Sequence, residues 1–360
     1  MMRIVDLFSG AGGLSLGAHQ AGMPVTTAFD IDPILTSSFQ FNFPNTNLVR
    51  CDVSALTGQE VERLVDGPVD GIIGGPPCQG FSAIGRNDYN DPRRQLILDF
   101  FRLVSEVNPA FFVMENVLGL GYQRARPLLD LAIEMVVNRY EILGPLVLNA
   151  ADFGAPTKRS RLFIIGIDPS RCDPLSVDDI SRLRRNPRTV QEAIADLKNA
   201  KRLPDHGNFD QWKITKRGRP NEYLRSLRND DRMFSGHLPT KHTLKVIERF
   251  KTVLPGETDK IGRHPRLAWH GQCPTLRAGT GSDRGSYQSV RPIHPEEPRV
   301  ITVREAARLQ GFPDEFRFHP TIWHSFRMIG NSVSPIISEA ILSAISTKFG
   351  VRKPALEAAE

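Results

Sequence analysis

The chain is poor in cysteine, with four in 360 residues, at positions 51, 78, 172 and 273. They form no C-x-x-C pair, which argues against a zinc ribbon or a disulfide scaffold and for free thiols in a reducing compartment. Long apolar runs are also missing. Nothing approaches the roughly 18 apolar residues a bilayer-spanning helix needs. The opening "MMRIVDLFSG" meets Asp6 before an apolar run of signal-peptide length develops. These gaps point to a cytoplasmic protein with no membrane partner and no metal site. Internal repeats and low-complexity tracts are absent too, so neither a solenoid nor a disordered chain is expected.

What is present is unevenly distributed. Residues 181–300 hold 25 Lys and Arg against 13 Asp and Glu, whereas the remainder has 21 against 27. One segment therefore carries the whole positive excess. That bias suits phosphate neutralisation, although a solvated basic surface would show the same composition.

Along the first 170 residues, apolar runs alternate with helical patterns. "RIVDLF", "VTTAFD", "VDGIIGG", "AFFVMENV", "YEILGPLVLNA" and "RLFIIGI" read as strands. Helices are expected at about 14–20, after Pro33, at 96–107 and at 128–137. This order predicts an α/β fold with a doubly wound, mostly parallel sheet, whose ligands sit at the carboxyl ends of the strands. From about Asp173 to Pro298 clean periodicity fades, which predicts a second, smaller and irregular domain. Helical signals return at "TVREAARLQGF", where Thr302 and Glu305 have capping-box spacing, and in a last helix near 333–346.

Several residue types that carry chemistry fall on the strand ends. "DLFSGAGGLSLG" follows a strand and opens a helix, and its glycines allow close backbone approach to a ligand. Asp30, twenty residues after Gly10 and at the end of the second strand, stands where such folds place a carboxylate for ribose hydroxyls. Cys78, in "GGPPCQGFS", follows another strand. Taken alone it reads more readily as a small buried hydrophobe than as a nucleophile. The stretch after it, "GFSAIGRNDYNDPRRQ", has the glycine and charge content of a lid. Glu115 ends the strand "FFVMENV", where an apolar approach suits a carboxyl that shares or donates a proton. Arg159 and Arg161 alternate at a strand start and are expected on one face, as a solvated edge or as groups that orient substrate.

The order "DLFSGAGG", "GGPPCQGFS", "MENV", "KRSR", "TVREAARLQGFP" and "GNSV" resembles the C5-cytosine DNA methyltransferases, over nearly the whole chain outside 175–265. The resemblance implies a Rossmann-like methyltransferase domain at 1–180, a target-recognition domain at 181–290 and a return segment at 291–350. It implies S-adenosyl-L-methionine as cofactor and a base-flipped cytosine in double-stranded DNA as substrate. The enzyme would act as a monomer on DNA, beside a restriction or other defence system. It further implies Cys78 as the nucleophile that adds to cytosine C6, Glu115 as the group on N3 and the amino group, and Arg161 with Arg159 as holders of the base. Phe8, Gly10 and Gly12 would form the cofactor turn, with Asp30 on the ribose, Ile31 on the adenine face and Asp52 on the adenine amino group. Asn331 and Ser332 would close that pocket, and Glu305 and Arg308 would be structural. Thr157, Cys51 and Ile84 depart from common family choices, and Ile84 leaves the identity of the duplex wedge open. An RNA (tRNA) cytosine-5 methyltransferase of the same fold, an NAD-dependent oxidoreductase and a catalytically dead DNA-binding module are the alternative readings.

Overall fold

The computed structural model describes residues 2–77, 95–215, 218–279 and 290–350. The chain begins with β1 (Ile4–Leu7), α1 (Gly13–Gln20), β2 (Val25–Asp30), α2 (Phe39–Asn42), β3 (Asn47–Arg50), α3 (Gly58–Val65) and β4 (Gly71–Gly74). It continues with α4 (Gln95–Val107), β5 (Phe111–Asn116), α5 (Arg126–Glu134), β6 (Glu141–Asn149), β7 (Thr157–Lys158), β8 (Ser160–Ile167) and α6 (Val177–Ser181). After these come α7 (Val190–Ile194), β9 (Ala200–His206), β10 (Phe209–Ile214), α8 (Glu222–Leu227), β11 (Met233–Phe234) and α9 (Leu244–Lys251). The last elements are β12 (Cys273–Pro274), α10 (Val303–Gln310), α11 (Ile322–Asn331) and α12 (Pro335–Lys348). By contacts the chain divides into two compact units, residues 1–148, 160–184 and 337–360 in one, 149–159 and 185–336 in the other.

The first unit is built on a seven-stranded sheet in the order β3-β2-β1-β4-β5-β8-β6. The pairs β1–β2, β1–β4, β2–β3 and β4–β5 are parallel, and β8 runs antiparallel to β5. Central strands are mostly apolar because both faces are covered. Val5, Leu7, Ile72, Phe112 and Met114 enter one core with Val61 of α3, Phe100 and Val104 of α4 and Leu129 of α5. On the other face Asp6 meets Ser15 of α1, and Ser338 of α12 donates to the Leu14 carbonyl at 2.9 Å. A Cβ at Gly17 would lie 2.3 Å from that of Ser338, so α1 and α12 touch only because residue 17 has no side chain. The fold is therefore doubly wound. Strand order reverses between β1 and β4, and ligands of such sheets bind beyond the strand ends at that reversal.

The second unit has little regular sheet: β9, β10 and β11 form one small sheet, β7 and β12 another. Buried guanidinium groups satisfy carbonyls that strand ladders satisfy elsewhere. Arg304 donates to the carbonyls of Ser235, Pro313 and Phe316. Arg266 donates to those of Phe250, Val253, Pro295 and Glu296. Arg308 makes a two-point pair with Asp314, at 2.8 and 2.7 Å, and reaches Asp196 at 2.7 Å. Arg188, Arg228, Arg249 and Arg299 are also paired with carboxylates. Part of the basic excess is thus internal, serving neither phosphate neutralisation nor a solvated surface, the two readings its composition offered.

Two further expectations need correction. Among the described residues one stretch, Ile322–Lys348 (α11 and α12 together), is long and apolar enough by length and composition to cross a membrane, but 78% of its most apolar window is buried. After Pro33 the helix is shorter than its pattern suggested, a single turn at Phe39–Asn42. Asp32 accepts from the amides of Ile34 and Leu35 in the manner of an N-cap, but the residues that follow form turns and not a continuous helix.

Candidate active site

After β1 the chain turns through Phe8, Gly10 and Gly12, with φ of 61°, 53° and 87°. Only glycine is at ease there, so an aromatic at residue 8 marks stored strain of the kind functional turns carry. A Cβ at Gly12 would strike the Phe43 ring at 2.4 Å, whereas one at Gly10 would meet nothing within 4 Å. Gly12 is required by packing, while Gly10 leaves open space. Asp30 fixes this turn: one carboxylate oxygen accepts from the Gly10 amide and the other from the Asp32 amide, both at 2.8 Å. Burial pushes the Asp30 carboxyl above its ordinary range, and those two amides pull it back. Ile31 beside it is 65% exposed, an apolar side chain left largely open. Asp52, just past β3, caps the next turn through Ser54, by its amide at 3.0 Å and its hydroxyl at 2.8 Å.

The sequence reading missed Asp6. It lies inside the apolar run of β1, fully buried, and burial pushes its carboxyl up to about 7 despite the Ser15 hydroxyl 2.5 Å away. Its second oxygen and the buried Ser9 hydroxyl have no partner among the described residues. Two unpaired polar atoms flanking a glycine turn are what a polar ligand would satisfy.

Across the strand-order reversal, β4 ends in the glycine–proline turn. A Cβ at Gly74 would sit 2.5 Å from the Leu7 carbonyl, and one at Gly75 would sit 3.1 Å from Glu115 Oε2. Both glycines are therefore set by close approach. The Gly75 amide donates to Leu7 at 3.3 Å, and Asn116 Nδ2 donates to the Pro76 carbonyl at 3.0 Å. Asn116 was not singled out from sequence, although it stands in "MEN"; it ties the proline turn to β5. Cys78 and the expected lid through Arg94, with Ile84, lie outside the described residues.

Glu115, the last residue but one of β5, is buried at 8% exposure, and its Oε1 is 2.8 Å from Nε of Arg161 on β8. Antiparallel pairing of Glu115 with Phe163 brings Arg161 to that strand end. Arg159 behaves differently. Strand β7 stops at Lys158 and β8 starts at Ser160, so residue 159 is not in the alternation that aimed both arginines one way. Its guanidinium is fully buried in the second unit, donating to the carbonyls of Leu276, Gly330 and Ser332 at 2.9, 2.9 and 2.6 Å. Asn331 ends α11 in that unit, and the Ser332 hydroxyl donates to the Met328 carbonyl at 2.9 Å. Glu305 closes the capping box with Thr302.

The three described cysteines are poor nucleophiles. Burial pushes Cys172 up to about 11 and raises Cys51 and Cys273 above the ordinary thiol value.

A doubly wound sheet, a glycine cradle at the end of β1 and a buried carboxylate–guanidinium pair at the ends of β5 and β8 define the class: a Rossmann-like fold with a polar ligand site at its strand ends. The model of the C-5 cytosine-specific DNA methylase family matches residues 2–347. The chain belongs to that family and is a DNA (cytosine-5-)-methyltransferase. It is similar to the type II methyltransferase M.XorII of Xanthomonas oryzae pv. oryzae, 43% identical over 94% of this chain and 82% of the relative. It is likewise similar to M.DdeI of Desulfomicrobium norvegicum, at 31% over 97% and 89%. A solved DNA modification methyltransferase encoded within an E. coli prophage superposes with a TM-score of 0.83 at 41% identity, covering 97% of this chain and all of that one. Dnmt2 of S. pombe, at 21% identity and TM-score 0.65 over 96% and 99%, shares the fold.

Proposed function

We propose that the methyl donor is S-adenosyl-L-methionine, held by Phe8, Gly10, Gly12, Asp30, Ile31 and Asp52, and that Cys78, Glu115 and Arg161 act on a cytosine flipped out of duplex DNA. The cradle suits that cofactor. It offers an ordered carboxylate, a largely exposed apolar side chain and open space at Gly10, beside buried polar atoms that lack partners among the described residues. When bound, the cofactor supplies an electrophilic methyl group. Asn331 and Ser332 keep the cofactor role that the resemblance implies.

Cytosine C5 is a poor nucleophile because its ring is aromatic and electron-poor. Addition of the Cys78 thiolate to C6 makes C5 electron-rich, and Glu115 offsets the charge that develops at N3 and the amino group. After C5 is alkylated, loss of its proton and expulsion of the thiolate restore the ring, the usual logic of covalent catalysis. Arg161 orients the Glu115 carboxyl and holds it in place. A stacked base offers no access to C6, so the cytosine must be flipped out of the duplex. Residues 181–290 serve as the recognition domain. The enzyme works as a monomer, in a restriction–modification or related defence system, as the type II names of its relatives suggest.

The observation that carries this reading is the Glu115–Arg161 pair beside a glycine–proline turn whose next residue but one is a cysteine. The test is transfer of labelled methyl from S-adenosylmethionine to duplex DNA, with the product base mapped by bisulfite sequencing. Cys78→Ala should lose transfer and keep cofactor binding. Undiminished transfer by that variant, or label away from cytosine C5, would overturn the assignment.

A further inference from the structure

Strands β9 and β10 set two lysines directly against each other. Their register pairs Lys201 with Lys213, and Met233 of β11 pairs with Lys213 on the other side. Cross-strand partners share a sheet face with Cβ atoms roughly 5 Å apart, and like charges in that position repel. Neither ammonium has a partner among the described residues, in contrast to the buried arginines of the same unit. The acids of β9 and β10 themselves are already engaged. Asp205 pairs with Arg202 at 3.1 Å. Asp210 accepts from the amides of Gly236, His237 and Leu238 and from the Trp212 indole. The opposite sheet face carries Trp212 and Phe234, both packed edge-on against His237. Protection of a sheet edge explains a lysine on β9, which is an edge strand. It does not explain one on β10, the central strand of the three.

An uncompensated pair of cations on one face calls for a polyanion. We propose that Lys201 and Lys213 contact the phosphate backbone of the DNA duplex, positioning the second unit on DNA without reading bases. This rests on the DNA-methyltransferase reading and adds a contact surface to it. Phosphate contacts release counterions, so each contributes about 0.9 to the slope of log affinity against log salt on duplex DNA. They weaken binding alike on all sequences.

The experiment measures binding of the full chain to two unrelated duplexes between about 50 and 200 mM salt, for wild type, Lys201→Gln/Lys213→Gln and Lys201→Arg/Lys213→Arg. The glutamine variant should flatten the slope by about 1.8, equally on both duplexes. Relief of repulsion should also raise its Tm, by about 1–2 °C. The arginine variant should keep the wild-type slope. A glutamine variant with the wild-type slope, or one weakened on a single duplex only, overturns the proposal and leaves the methyltransferase reading intact. A wild type that shows no salt-dependent duplex binding overturns both.

Discussion

Replacing Arg161 with alanine tests the site's geometry without touching the nucleophile. The guanidinium lies 2.8 Å from Glu115, and the two side chains are only 12% and 10% exposed. Two charges about 4 Å apart at an effective dielectric near 20 attract by about 4 kcal/mol. Removing one member of a buried pair typically costs about 3–5 kcal/mol, because the remaining charge stays desolvated. Residual solvent contact places this pair at the lower end, so Arg161→Ala should lose about 3 kcal/mol by urea denaturation at constant m-value. In the double variant with Glu115→Gln the second loss should be smaller than the first, with a coupling of about 2 kcal/mol. Methyl transfer by Arg161→Ala should fall by at least about 100-fold, since a misplaced carboxylate cannot follow charge on the base. A stability change within about 0.5 kcal/mol of wild type, or strictly additive losses, would refute the argument that these residues act as a pair.

The second unit should be acid-sensitive through Glu305. Burial alone would raise its carboxyl, but both its oxygens accept from Arg299 at 2.9 Å, and the group is pushed down to about 2 from an ordinary 4.5. A lowered carboxyl stabilises the fold above its unfolded value and loses that contribution as pH falls. Up to about 3 kcal/mol should therefore disappear between pH 4.5 and 2, and a denaturation midpoint flat across that window in wild type, or equally steep in Arg299→Gln, would contradict this. Arg159→Met should destabilise by about 3 kcal/mol or more, because three carbonyls lose their donor, each at about 1–3 kcal/mol. Arg159→Lys should recover only part, as one ammonium cannot span the three acceptors; full recovery in Tm would argue against the clamp.

Much of this was legible in the sequence wherever a residue's neighbours along the chain decide its state. Strands β1, β4, β5 and β8 appear as apolar runs because both of their faces are covered. The Thr302–Glu305 box forms because its partners are three residues apart. Strand β3, "NLVR", was not expected: it is an edge strand with exposed ends and leaves no apolar run to see. The β9–β10 hairpin was also missed, although Gly207–Asn208 between "LPDH" and "FDQWKI" is a turn signal, with Gly207 at φ 60°. Arg159 misled for a different reason. Its three acceptors come from segments 117 to 173 residues away, and no local pattern distinguishes an arginine that binds carbonyls from one that binds a substrate. The same ambiguity made the basic block look wholly external.

The most direct measurement is to trap the protein on a duplex with 5-fluorocytosine at the target position, with S-adenosylmethionine present, and to map the cross-linked peptide by mass spectrometry. Fluorine at C5 cannot leave as a proton does, so a covalent complex through Cys78 should accumulate and survive denaturation. A cofactor-competent protein that methylates ordinary duplexes yet forms no adduct at that sulfur would contradict the account.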